Sequence, residues 1–136
     1  MALAGPAANL GLILAAALLL RLGWEWHLFA PPYSVGAERI LESVNDGLPD
    51  LLARLLSITF SLNLLLFAFN LIPAPPLDGS NVPLLVLPAR MTTGYMSFLR
   101  TPGLAIITLV IVSRFFGDFY PPLLRATAGL FFPRLN

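Results

Sequence analysis

Long apolar stretches alternate with polar ones along the chain. Ala2 to Leu20 carries no charge over 19 residues, about the length that crosses a hydrocarbon core of roughly 30 Å. Pro6 suits a first helical turn, where its missing N–H has no partner to lose, so a helix is predicted from near Gly5. No basic residue precedes Arg21, which argues against a secretory signal peptide.

Arg21 to Arg54 is polar and holds five of the seven acidic residues. Trp24, Trp26 and Tyr33 fit a membrane–water interface. Pro31 and Pro32 break any helix. From Gly36 onward, Ile40, Leu41 and Val44 alternate with charges, which predicts an amphipathic helix lying on the interface. Asn45-Asp-Gly47 predicts a turn, and Pro49 the start of the next helix.

Leu55 to Ile72 is a second uncharged run, of 18 residues, carrying Ser57, Thr59, Ser61, Asn63 and Asn70. Lipid offers no hydrogen bonds, so this helix is expected to pack against protein. Pro73 to Pro88 is apolar but proline-rich and predicts a helix break, with a short helix or re-entrant piece at Val82 to Leu87. A third membrane helix is expected from Met96 to Phe119, with Arg100 and Arg114 reaching the interfaces, followed by an interfacial tail. This places Arg21, Arg39, Arg54, Arg114, Arg125 and Arg134 on one side of the membrane and Arg90 and Arg100 on the other.

Composition strengthens the membrane reading. The 136 residues are 57% hydrophobic and 11% charged, with a mean hydropathy of +0.82, whereas soluble domains carry roughly 25% charged residues. The expected fold is therefore all-α and integral to a membrane, one domain over residues 1–136. It has about three transmembrane helices, an interfacial amphipathic helix and a proline-rich helix break, with the lipid bilayer as a partner. A net charge of +1 gives no field for nucleic acid. With no Cys and one His, disulfides, thiolate nucleophiles and Cys zinc sites are excluded.

One polar position stands out. Asp78 is the only charged residue between Arg54 and Arg90. An ionisable group at membrane depth costs roughly 2.5 kcal/mol or more and is a functional candidate. Asp-Gly is equally a turn sequence, and the prolines before it equally a loop outside the bilayer. Asn9 and Asn70 can cap helices or bond across them. If the first two helices run antiparallel, Gly5-Pro-Ala-Ala-Asn9 and the stretch from Asn70 to Gly79 lie at the same end.

Phe69-Asn-Leu-Ile-Pro-Ala-Pro-Pro-Leu-Asp-Gly-Ser80 resembles the second signature of the site-2 protease family, the intramembrane zinc metalloproteases. Ala4-Gly-Pro-Ala-Ala-Asn9 resembles the Gly-Pro-x-x-Asn element of the same proteins, in the same order and on successive hydrophobic segments. The resemblance extends from Ala2 to about Tyr120 and is nearest to the small bacterial members. It implies hydrolysis of peptide bonds in membrane protein substrates, within a bacterial cell membrane. It also implies zinc held by two His of an HExxH helix and by the aspartate that corresponds to Asp78. Zinc lowers the pKa of its bound water toward 7. Asn9, Asn70, Gly5, Pro6, Pro73, Pro75 and Gly79 are then expected to orient substrate or support the metal ligand.

The chain departs from that pattern in one respect: it has no HExxH, and its sole histidine, His27, lies in the polar loop. In the family HExxH lies upstream of Gly-Pro-x-x-Asn, near which this sequence begins. The expectation is thus the C-terminal part of such a protease, inactive and unable to hold zinc by itself. The alternatives are a truncated pseudoprotease that binds membrane segments without cutting them, and a small non-catalytic helical membrane protein.

Overall fold

The computed structural model describes residues 4–72, 75, 77–85 and 87–133. Its first helix, α1, spans Ala4–Glu25, and Pro6 sits in the opening turn as expected. A two-stranded antiparallel hairpin follows, β1 (Phe29–Ala30) and β2 (Glu42–Ser43), in the register Phe29 with Ser43 and Ala30 with Glu42. The second long helix, α2, spans Leu48–Leu71. Its first turn contains Pro49 and Asp50, a carboxylate well placed against the positive helix end, and Asp50 also pairs with Arg54 at 2.9 Å.

α1 and α2 run antiparallel. Leu10 and Ile13 of α1 share a cavity of about 500 Å³ with Leu64, Phe67, Ala68 and Leu71 near the far end of α2. The pair packs through small residues: Ala16 and Ala17 on α1, and Ala53, Ser57 and Ser61 at four-residue spacing on α2, all buried. Small side chains on one helix stripe let two backbones approach closely, the usual device where lipid removes any hydrophobic drive between helices. Ile13, Leu20, Phe60 and Leu64 fill the rest of the seam.

The amphipathic helix expected from Gly36 is absent, and this part of the all-α expectation is corrected. Gly36 and Arg39 exchange backbone hydrogen bonds in a tight bridge, and the chain enters β2. Ile40 and Leu41 are fully buried instead of lying on a surface, while Val44 is exposed. The Ile40 N–H donates to Ser57 Oγ at 3.1 Å. A helix from Gly36 would commit that N–H to its own backbone. The polar third of the chain therefore caps the helix pair and closes its core.

After α2 the chain forms a 3₁₀ segment, Asp78–Leu85, in the stretch where a proline-rich break was expected. α3 (Ala89–Leu99) and α4 (Leu104–Phe131) follow. The continuous third helix expected from Met96 to Phe119 is broken at Arg100 to Gly103. Pro102 lacks an N–H, and Gly103 takes φ 82°, a left-handed value open to glycine. Arg90–Leu99 and Leu104–Arg114 meet at 79°. α1 and α2 are each long and apolar enough to cross a membrane, and the bent pair would make a third such span.

α4 returns along α2. Phe116 lies 4.3 Å from Phe69, ring centroid to ring centroid, Phe131 lies 5.9 Å from Phe60, and Phe132 lies 5.7 Å from Trp24. One face of the tail is thus buried against α1 and α2: Leu124, Ala128 and Phe132 belong to the core. The same contacts put Arg114 beside the end of α2, at the Asp78 end, and so correct its expected grouping with Arg21.

Candidate functional site at the end of the helix pair

The antiparallel pairing brings the two unusual sequence elements to one end of the molecule. Gly5, Pro6 and Asn9 occupy the first two turns of α1, just before Leu10, and Asn70 lies in the last turn of α2. Pro6 is buried, whereas Gly5, Asn9, Asn70 and Pro75 are half-buried. Pro73 lies outside the described residues, and the side chain of Asp78 is likewise not described.

The backbone around Asp78 is defined by its neighbour. α2 stops where Ile72 turns extended (φ −69°, ψ 121°) and its N–H bonds back to the Phe69 carbonyl at 3.1 Å. The chain then reverses, and Ser80 N–H donates to the Leu77 carbonyl at 3.0 Å, so Asp78 and Gly79 form the centre of a tight turn. That turn presses directly on the end of α2. A Cβ on Gly79 would stand 2.5 Å from the Asn70 carbonyl oxygen and 2.8 Å from the Ile72 carbonyl carbon, with the Ile72 oxygen closer still. These are backbone atoms, which cannot swing aside, so only glycine fits here. Asp78 is thereby fixed, through its backbone, beside the last carbonyls of α2.

The far side of the turn is also tied down. Ser80 is buried, and its carbonyl accepts a 2.8 Å hydrogen bond from the Tyr95 hydroxyl of α3. The Asp78 turn is thus held between the end of α2 and the face of α3. Among the described residues, no side-chain hydrogen bond involves Asn9 or Asn70, so neither side chain is committed to capping a helix.

The opposite end of α1 holds His27. Trp26 N–H bonds to Leu22, His27 N–H to Trp24 and Leu28 N–H to Gly23, at 2.9–3.0 Å. The last two bonds make a Schellman cap with His27 at the left-handed position, φ 57°. Glycine normally holds that position, because a side chain there costs about 1–2 kcal/mol. His27 lines a cavity of about 330 Å³ with Arg21, Trp24, Glu25, Phe131 and Phe132. Arg21 is anchored there by donating to the Phe131 carbonyl at 3.2 Å. Sequence reasoning missed this cavity. Its aromatic wall arrives from the far end of the chain, and the helix stop carries no glycine to announce it.

The donor set does not complete a zinc site within this chain. The sole histidine is at the wrong end of α1, there is no cysteine, and among the described residues no three of His, Cys, Asp and Glu converge. Asp78 is left as one candidate ligand needing others. Compared with protein-family models, curated proteins and solved structures, the chain matches none.

Proposed function

We propose that this chain is the Asp78-bearing part of a site-2-protease-like intramembrane zinc metalloprotease, in which α1 and α2 cross a bacterial cell membrane. The observation that supports this most is the seating of Gly79 on the carbonyls of Asn70 and Ile72, at the end of the pair that also carries Gly5, Pro6 and Asn9. A turn built so that no side chain fits at Gly79 holds the Asp78 backbone at a fixed point, which is what a residue that supplies a metal ligand requires.

In this reading the remaining ligands and the general base belong to an HExxH segment that is not in this sequence, and this chain alone is inactive. Asn9 and Asn70 orient the substrate backbone, and Pro73 and Pro75 keep α2 from continuing past its end. The substrates are membrane proteins cut within their spanning segments.

A second reading is a pseudoprotease that binds such segments without cutting them. The apolar cavity between α1, α2 and α4, about 500 Å³ and lined by Leu10, Ile13, Leu64, Phe67 and Phe119 among others, supports it.

The test uses the native polypeptide, isolated from its own membranes with an antibody to the C-terminal tail. Its intact mass and zinc content are measured beside those of Asp78→Ala. A mass well above 14.7 kDa with one zinc that Asp78→Ala removes supports the protease. Zinc that survives Asp78→Ala overturns the role of Asp78. A mass equal to this chain with no zinc favours the pseudoprotease.

A further inference from the structure

We infer that the cavity at the end of α1 binds the zwitterionic headgroup of a phospholipid, a phosphate linked to a primary ammonium. The cavity measures about 330 Å³, at the small end of ligand pockets. That is room for a headgroup rather than a whole lipid.

Its depth is set by the sequence of α1. Arg21 is the first charge after the uncharged run, so it marks where acyl chains give way to headgroups. Trp24 lies one turn on, and Trp26 is 69% exposed, as in an interfacial aromatic belt.

The lining offers both halves of a zwitterion a partner. Arg21 has one guanidinium nitrogen tethered to the Phe131 carbonyl, which orients the fork. Its other N–H groups suit two phosphate oxygens at once. The exposed His27 ring donates at least one N–H in either protonation state. For the ammonium, Glu25 supplies a carboxylate, and the ends of α1 and α4, which both terminate here, supply negative partial charge. Trp24, stacked on Phe132 at 5.7 Å, also lines the cavity and offers its ring for a cation–π contact.

Charge and geometry narrow the choice. Among the described lining residues, Arg21 and Glu25 balance, so a purely anionic headgroup would leave Glu25 repelling it. A quaternary ammonium has no N–H to give Glu25. Independent of this, His27 is the only non-glycine residue at positive φ among those described. A side chain kept where glycine is favoured points to a use for that side chain.

The full-length polypeptide bearing this sequence is placed in nanodiscs of phosphatidylethanolamine, phosphatidylglycerol and phosphatidylcholine in equal amounts. Native mass spectrometry then counts the lipids retained. The expected result is one phosphatidylethanolamine retained well above the others, reduced about tenfold by Arg21→Gln and by Glu25→Gln. Equal retention of the three lipids, or enrichment unchanged in both variants, overturns the proposal. His27→Gly separates binding from folding, because glycine suits that backbone. Enrichment that falls while the melting temperature holds or rises supports the proposal, and unchanged enrichment removes His27 from the site. Soluble glycerophosphoethanolamine is expected to displace the lipid where inorganic phosphate does not. Equal displacement by phosphate would reduce the site to a phosphate site and overturn the headgroup assignment.

Discussion

The Tyr120 hydroxyl of α4 donates to the Ser61 carbonyl of α2 at 2.7 Å, joining residues 59 positions apart. Ser61 lies inside a helix, so its carbonyl uses a second lone pair for this bond. Tyr120 also stacks on Phe116, which itself packs on Phe69. One hydroxyl therefore sets the register of α4 against α2. Tyr120→Phe keeps the ring and removes the bond, with an expected loss of about 1 kcal/mol. Thermal unfolding in detergent micelles reads this directly. An unchanged midpoint would mean that the rings alone hold α4.

Glycines at two positions should answer oppositely to alanine. Gly79→Ala drives a methyl group into the carbonyls of Asn70 and Ile72 and should cost about 1–3 kcal/mol, displacing the Asp78 turn. Gly94, within α3, has nothing within 4 Å of a Cβ, so Gly94→Ala should stabilise by about 0.5–1 kcal/mol. Limited proteolysis between α2 and α3 would speed up in the first variant and slow down or stay level in the second.

The hairpin hangs on one buried bond. Ser57 is fully buried and its Oγ accepts from the Ile40 N–H. Ser57→Ala leaves that N–H without a partner and should cost about 1–3 kcal/mol. Amide hydrogen exchange at Ile40 is the measurement: protection should fall there first. Equal protection in both proteins would mean that another acceptor serves Ile40.

His27 holds a strained position in the cap of α1. His27→Gly should raise stability by about 1 kcal/mol. Gly23→Ala, two positions before Glu25, should do the reverse, because its Cβ would enter the Phe29 ring. A calorimetric comparison of the two variants checks the pair.

Those responses depend on features of very different visibility in the sequence. α1 and α2 are legible because a charge-free run of membrane length has one economical structure, a helix that satisfies its own backbone. Pro6 and Pro49 mark their starts, and Asp78-Gly79 marks the turn. The hairpin is not legible. Ile40, Leu41 and Val44 fit a helical stripe, and only the depth of the groove beside Ser57 decides that the first two are buried and the third is not. The path of α4 escapes for a related reason. The third helix was expected to end at Phe119, yet it continues through Pro121 and Pro122, with Leu124, Ala128 and Phe132 covered by the first two helices. Tertiary burial there outweighs a local penalty of about 3 kcal/mol for an interior proline. At the candidate site, sequence supplied Asp78 and Gly79 as a pair, but the reason for the glycine lies in two carbonyls seven and nine positions earlier.

The two ways in which the helices adhere have a consequence for biogenesis. α1, the hairpin and α2 are contiguous in the chain and meet through small side chains and a backbone-to-serine bond, so the seam between them needs no residue beyond Leu71 to close. α4 joins chiefly through aromatic rings and through side chains that reach across, Tyr120 to Ser61 and Arg21 to Phe131, with Leu124 and Ala128 buried between them. Synthesis in chain order thus lets the first pair close as a hairpin before α4 docks on it. Chains truncated just beyond Leu71 and released into the membrane would already hold the turn of α1 into β1, while Trp24 would still lack its cover.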